Sequence, residues 1–206
     1  MTPPLIAGRP ALLVIDMQEG AYGDDSGIPR MGGFAARIAT VRQLIERFRD
    51  LSYPVIFVSE EHRRSLIDFG RELDGEEGIH CLEGDPGTAI AAALGVGPDD
   101  VVIRKRRYSC FFATDLDLLL RSLRVETVVL VGELTDVCVH YTFADAHQLD
   151  YVVRVVEDCC GGSSAAAHDA ALEAMSYLQS AARISAADLR AAMAPGPAMT
   201  TAPGPG

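Results

Sequence analysis

The chain has 206 residues, 49% of them hydrophobic, and a formal net charge of -11. That length suits one α/β domain with a sizeable core, and the apolar share excludes a disordered tail protein. The acidity argues against a nucleic-acid partner, which needs clustered Lys and Arg; the one basic run, Arg104-Lys105-Arg106-Arg107, follows an apolar run and reads as the edge of a site.

In chain order, the first apolar run is Ala11-Leu12-Leu13-Val14-Ile15, closed by Asp16. Residues 34 to 51 then place Phe34, Ile38, Val41, Leu44, Ile45 and Phe48 on one stripe, the period of a helix. A second apolar run is Val55-Ile56-Phe57-Val58. Residues 60 to 87 are charged and Gly-rich, and read as a long excursion of the kind that carries function or covers a site. A third run is Val101-Val102-Ile103, followed by a helical pattern over 114 to 124. Thr127-Val128-Val129-Leu130-Val131 precedes a helix over 136 to 149, for which Thr135 or Asp136 is the expected cap. Tyr151 to Val156 precedes a helix over 164 to 180 with Ser163 and Ser164 as N-caps, and Arg183-Ile184-Ser185 suggests a short sixth strand. These runs are short, β-branched and not alternating, as strands buried on both faces of a parallel sheet are. The expected fold is α/β: a doubly wound, Rossmann-like parallel sheet of about six strands with helices on both faces. One domain over residues 1–193 is expected, with a disordered Pro/Gly/Ala tail over 194–206.

No segment reaches the roughly 20 apolar residues of a membrane span. The N-terminus shows no basic region followed by an apolar core and a cleavage site. Cys81, Cys110, Cys138, Cys159 and Cys160 are odd in number and irregularly spaced, with no CxxC pair and no structural-zinc spacing. Reduced thiols in a cytoplasmic protein with no membrane partner are expected.

Ligands of open parallel sheets bind at the carboxyl ends of strands. Asp16 closes the first strand, Lys105 follows the third and Cys138 lies just past the fourth, so an acid, a base and a thiol converge on one rim. A Cys in the first turn of a helix gains from the dipole and free N–H groups, which favour the thiolate. Nearby N–H groups can receive an oxyanion. An Asp can take the thiol proton and return it to a leaving amine, and a Lys ammonium steadies both. Each residue also has a plainer reading: Cys138 as core filler beside Val137 and Val139, Asp16 as a turn residue, Lys105 as a solvated charge.

The segments ALLVIDMQ, KRRYSCFFATDLDLLL and VGELTDVCVHYTFADAHQLDYVVRVVEDCCGG together resemble the isochorismatase-like cysteine hydrolases, from about Ala11 to Leu178. That superfamily includes nicotinamidases, N-carbamoylsarcosine amidohydrolases, ureidoacrylate and biuret hydrolases, and isochorismatases. Asp16, Lys105 and Gly132-x-x-Thr135-x-x-Cys138 match its pattern. The resemblance implies a catalytic triad of Asp16, Lys105 and Cys138 that attacks a small carboxamide, lactam or ureido compound through a thioester. It implies a cis peptide at Glu133–Leu134, with the Leu134 and Cys138 N–H groups as oxyanion hole. It also implies a homodimer or homotetramer. Glu133 departs from the apolar residue usual there, and either reaches the site or pairs with an Arg. Gln18, His62, Tyr108 and Phe111 are candidates for the substrate pocket, with Phe112 balanced between pocket and core.

Glu60-x-His62 with the later His80 is similar to the metal ligands of nicotinamidases, and one carboxylate with two imidazoles suits Zn, Mn or Fe. Glu60 replaces the usual Asp, however, and SEEHR also resembles the ExHR of metal-free amidases. The expectation is a metal-free wall built by Glu60, His62 and Arg63, with no cofactor required. The alternatives to an amidohydrolase are a vinyl-ether hydrolase like isochorismatase, which has no need of the Cys, and a catalytically idle binding or assembly module.

Overall fold

The apolar runs become six strands of one sheet: β1 (Arg9–Ile15), β2 (Val55–Glu60), β3 (Val101–Lys105), β4 (Val125–Glu133), β5 (Val152–Gly161) and β6 (Arg183–Ile184). The structure, a computed structural model, describes residues 4–22 and 28–193, so the expected tail over 194–206 lies outside the described residues. Strand order is β3-β2-β1-β4-β5-β6 and every pairing is parallel. The order runs outward from β1 through β2 to β3, then restarts beside β1 at β4. That reversal opens a crevice at the carboxyl ends of β1 and β4.

β1 shows why the runs do not alternate between polar and apolar. Ala11, Leu13 and Ile15 join one apolar layer and Leu12 and Val14 the other, so both faces are buried. The first layer is covered by α2 (Leu116–Ser122), α3 (His140–Gln148) and α4 (Ala165–Leu178). The second is covered by α1 (Phe34–Asp50) and α5 (Ala186–Ala192). All six residues of the stripe expected on α1 are buried, each contributing about 1.5–3 kcal/mol. Val101 and Val102 are exposed because β3 is an edge strand.

The structure differs from the sequence reading at three helices. The helix after β4 begins with a π-turn, Thr135–Val139, before α3 proper. Neither Thr135 nor Asp136 caps it: Leu134 holds the cap position without a side-chain bond. Asp136 instead accepts from the Ser163 N–H at 2.8 Å and its hydroxyl at 2.5 Å, which leaves Ser164 alone as the cap of α4. α5 was not expected; at seven residues it is too short to show a period, and Ser185 caps it.

The excursion after β2 is tied down rather than loose. His62 N–H donates to Cys81 O, and Glu83 N–H to His62 O, both at 2.7 Å. The arginines of the basic run are consumed here: Arg104 pairs with Glu61 at 2.7 Å, Arg106 with Asp68 at 3.1 Å, and Arg107 donates to Asp68 O. Among the described residues, no helix is long and apolar enough to cross a membrane.

Candidate active site

Ile15 and Gly132 are register partners where the sheet order reverses. Gly132 has φ 128°, and a Cβ there would lie 2.0 Å from Ile15 O. Only glycine lets β4 pass β1 so closely, and this approach brings the loops after both strands together. Asp16 follows at φ 50°, a left-handed conformation that Asp tolerates better than most residues. After β4 comes the cis Glu133–Leu134 peptide, then the π-turn carrying Cys138. Hydrogen bonds from both flanks hold this turn to α4: Thr135 Oγ1 lies 2.8 Å from His168 Nδ1, and Asp136 accepts from Ser163.

Lys105 ends β3 and is completely buried. Its ammonium donates to Glu60 Oε2 at 2.6 Å and to Cys138 Sγ at 3.3 Å. It also lies 2.8 Å from Asp16 Oδ2. Oxygens of Asp16 and Glu60 and the Cys138 sulfur all lie within 4.8 Å of one another. The three residues that the sequence placed on one rim are therefore in contact around one cation. The ammonium's approach to Asp16 is outside hydrogen-bond geometry, and among the described residues neither Asp16 oxygen has a donor in line. Its lone pairs are thus open to a proton.

Burial dominates the electrostatics. It pushes the Asp16 carboxyl up to about 6, with Lys105 pulling the other way. It pushes the Cys138 thiol well above its ordinary range, again against Lys105. Burial works against charge on Lys105 too, but Asp16 and Cys138 outweigh it and hold the ammonium well above the usual range. The favoured thiolate of the sequence reading is corrected here: burial, with Asp16 and Glu60 nearby, outweighs the pull of Lys105 and favours the protonated sulfur. Near neutral pH the cluster holds a carboxylate, an ammonium and a thiol.

Asp16 and Cys138 line a cavity of about 220 Å³. Gln18, Glu60, His80, Cys81, Leu134 and Val137 are among the other walls. Of the expected pocket residues only Gln18 lines it. Gln18 is also a strut, donating to Thr88 O at 2.7 Å and Glu60 O at 3.0 Å while accepting from Glu60 N–H at 3.1 Å. His62 lies behind the wall with no exposure. Tyr108 packs on Tyr141, Phe111 stacks on Tyr151, and Phe112 is exposed. None of these rings is among the residues lining the cavity, which spacing from Lys105 could not reveal.

Glu133 does both: it lines the cavity beside Leu134 and pairs with an arginine. Arg37 Nε donates to it at 2.7 Å and Arg37 Nη2 lies 2.6 Å from the same oxygen, both side chains nearly buried. Arg37 went unnoticed in the sequence because it lies on the flank of an apolar stripe. Its guanidinium also donates to Gly32 O at 2.7 Å, so it ties the start of α1 to the end of β4.

Behind the rim, Glu60 serves a second cluster. Its Oε1 lies 3.0 Å from His62 Nε2 and 3.2 Å from His80 Nε2. Glu72 Oε2 approaches His62 Nε2 at 3.1 Å. Burial opposes a charge on His62, but the bonds to Glu60 and Glu72 lift its imidazole to about 9. Glu72 is 4% exposed, and among the described residues His62 and Arg107 are the cations near its oxygens, neither in line to donate a hydrogen bond. His80 Nδ1 donates to Gly78 O at 2.6 Å, the outer bond that metal-ligating histidines make. Two imidazole nitrogens and two carboxylates facing inward, one of them orphaned, are a donor set that fits a divalent ion such as zinc. Glu72 was invisible as a member because nothing in its spacing from His62 marks a ligand.

The isochorismatase domain model matches residues 10–188. The chain is 31% identical over 177 residues to the uncharacterized isochorismatase family protein YecD of Escherichia coli, covering 80% of this chain and 86% of that one. It is 32% identical over 169 residues to the ureidoacrylate amidohydrolase RutB of Pantoea ananatis, covering 72% and 67%. The zinc-complexed pyrazinamidase of Pyrococcus horikoshii superposes with a TM-score of 0.74 at 28% identity, over 83% of this chain and 96% of that one. With a sheet of the same class and a domain match over nearly its whole described length, the chain belongs to the isochorismatase family of hydrolases.

Proposed function

We propose that the protein is a cysteine-dependent amidohydrolase that cleaves a C–N bond of a small carboxamide, lactam or ureido compound. The observation that carries this reading is the buried Lys105 ammonium, 2.8 Å from Asp16 and 3.3 Å from the Cys138 sulfur at the wall of a small cavity. Kinship with an amidohydrolase and a pyrazinamidase supports the bond type.

The protonation states set the order of events. Asp16, ionised above about pH 6, takes the Cys138 proton as the sulfur attacks the substrate carbonyl. Lys105 holds both anionic partners in place and stabilises the sulfur as it loses its proton. The carbonyl oxygen becomes an oxyanion, received by the Leu134 and Cys138 N–H groups. Asp16 then passes its proton to the leaving nitrogen, the C–N bond breaks, and a thioester to Cys138 remains. Water attacks the thioester while Asp16 takes its proton; the C–S bond breaks and the sulfur recovers a proton from Asp16.

None of these steps is routed through a metal. An ion held by Glu60, His62, Glu72 and His80 would neutralise the two carboxylates and fix Glu60 against Lys105. Gln18 holds the Glu60 backbone from the opposite side.

An ammonia-release screen over nicotinamide, ureido acids, biuret and maleamate, with chromatographic detection of ring opening for cyclic amides, tests the reading. At least one should be turned over by the wild type and not by Cys138→Ala. Equal turnover by the two proteins would remove covalent catalysis. Failure with every amide, together with cleavage of a vinyl ether, would move the assignment to the isochorismatase reaction.

A further inference from the structure

The sequence offered three ligands for an ion, with the remaining positions left to water or substrate. The structure adds Glu72, and adds it on the side away from the cavity. Glu60 and His80 line the cavity, whereas His62 and Glu72 do not. His62 has no exposed surface and stacks on Phe69 with centroids 3.9 Å apart. The cluster is therefore sealed from behind by an aromatic ring and from the front by Glu60 and His80.

Its internal geometry is that of a set awaiting a common partner. One atom from each of the four residues lies within 4.8 Å of all the others. The measured approaches are 3.0, 3.1 and 3.2 Å. Tetrahedral bonds of about 2.0–2.2 Å separate ligand atoms by about 3.4 Å, close to these three approaches. His62 Nε2 carries at most one proton, and Glu60 has it in line. Glu72 is left as a buried carboxylate with no donor, its nearest other cation being Arg107 Nη1 at 3.8 Å. A buried, unsatisfied carboxylate is destabilising, and a dication among the four side chains would satisfy it.

We propose that Glu72 completes a four-ligand set, Glu60–His62–Glu72–His80, that binds one divalent ion as a closed structural site behind the pocket, not as an open site that holds substrate. Closed four-coordination is the signature of structural zinc, and three protein ligands with an open position that of catalytic zinc. The bound ion acts on the rim only through Glu60, whose other oxygen holds Lys105. This claim is independent of the amidohydrolase reading, because its test uses metal alone and no turnover.

Full-length protein stripped with dipicolinate is titrated with zinc chloride by calorimetry and with cobalt chloride by visible absorption. One equivalent should bind, the cobalt protein should show the intense bands of tetrahedral coordination, and added azide should leave them unchanged. Glu72→Gln should weaken zinc binding at least tenfold and convert the cobalt spectrum to the weak bands of higher coordination, with unchanged circular dichroism. Glu72→Asp, which keeps the carboxylate, should retain one equivalent at reduced affinity. If Glu72→Gln does not fold, the wild-type cobalt spectrum and Glu72→Asp decide. The proposal is overturned by absence of saturable binding, by wild-type zinc affinity in Glu72→Gln, or by cobalt bands that shift with azide.

Discussion

Two buried charge clusters share Glu60 and are built to opposite ends. At the rim, Asp16 and Cys138 face a cavity, and the Asp16 oxygens have no donor in line. In the cluster behind it, Glu60, His62, Glu72 and His80 face one another, and His62 is sealed from solvent. The rim leaves reactive atoms open to a ligand and holds them through Lys105, with Cys138 Sγ also 3.7 Å from Glu60 Oε2. The rear cluster points its polar atoms inward and holds the wall. Burying charge is costly in both places, but the acid and the sulfur that face the cavity belong to the rim. Mutations should therefore separate the two: rim changes should cost turnover more than stability, and removal of the shared rear imidazole should cost stability more than turnover.

The largest effect is expected at the nucleophile. Cys138→Ala should lower kcat by about 10⁴-fold or more and cost about 1 kcal/mol of stability, since a small residue replaces a small one. Single-turnover assays and urea unfolding measure the two separately. Unfolding without loss of specific activity would reverse the comparison.

Asp16→Asn should follow, with a loss of about 10³-fold, because both proton transfers pass through that carboxylate. Its stability should fall less than its activity, since Lys105 keeps its ion pair with Glu60 at 2.6 Å. An unfolded Asn variant beside a fully active Asp16→Glu would return Asp16 to the role of a turn residue.

Behind the rim, His62→Ala should cost about 3–5 kcal/mol, because it leaves Glu60 and Glu72 facing each other without their shared partner. The midpoint of urea denaturation reads this loss, and residual turnover of the folded fraction should fall less than about 100-fold. A variant of native stability with no activity would place His62 in the chemistry.

A smaller effect is expected from pH. Asp16 works as a base only when ionised, and its carboxyl lies at about 6. kcat/KM should therefore be level above that value and fall about tenfold per unit as pH drops below it. An acid limb that persists unchanged in residual Asp16→Asn activity would assign the titration to another group.

Ser164→Ala, remote from both clusters, should cost only about 1 kcal/mol through loss of its bond to the Ala167 N–H, with kcat unchanged. It calibrates how far a purely local stability loss reaches the rim.

Much of this molecule was legible as residue type in order. The runs without polar alternation announced a sheet covered on both sides, and the stripe on α1 announced one of its covering helices. Asp16, Lys105 and Cys138 could be singled out because each stands at the carboxyl end of a strand, a position set by local pattern. The pocket walls were not legible in the same way. Tyr108 and Phe111 are near Lys105 in sequence, yet the chain turns them toward Tyr141 and Tyr151. The excursion that builds the far wall has no period to read, and the short 3₁₀ turns at Glu72–Asp74 and Pro86–Thr88 carry no signal of their own.

The sequence by itself determined the sheet class, the three reactive side chains and the family pattern that joins them, because strand burial and strand-end position are local consequences of residue order. Only the tertiary structure decided that Glu133 answers Arg37, that Glu72 joins Glu60, His62 and His80, and that the Cys138 sulfur rests as a thiol. The physical reason is common to all three. Pairing and desolvation depend on which groups the fold brings within a few ångströms, and residues 37 and 133, or 60 and 72, meet only after the sheet has closed and the excursion has folded back over it.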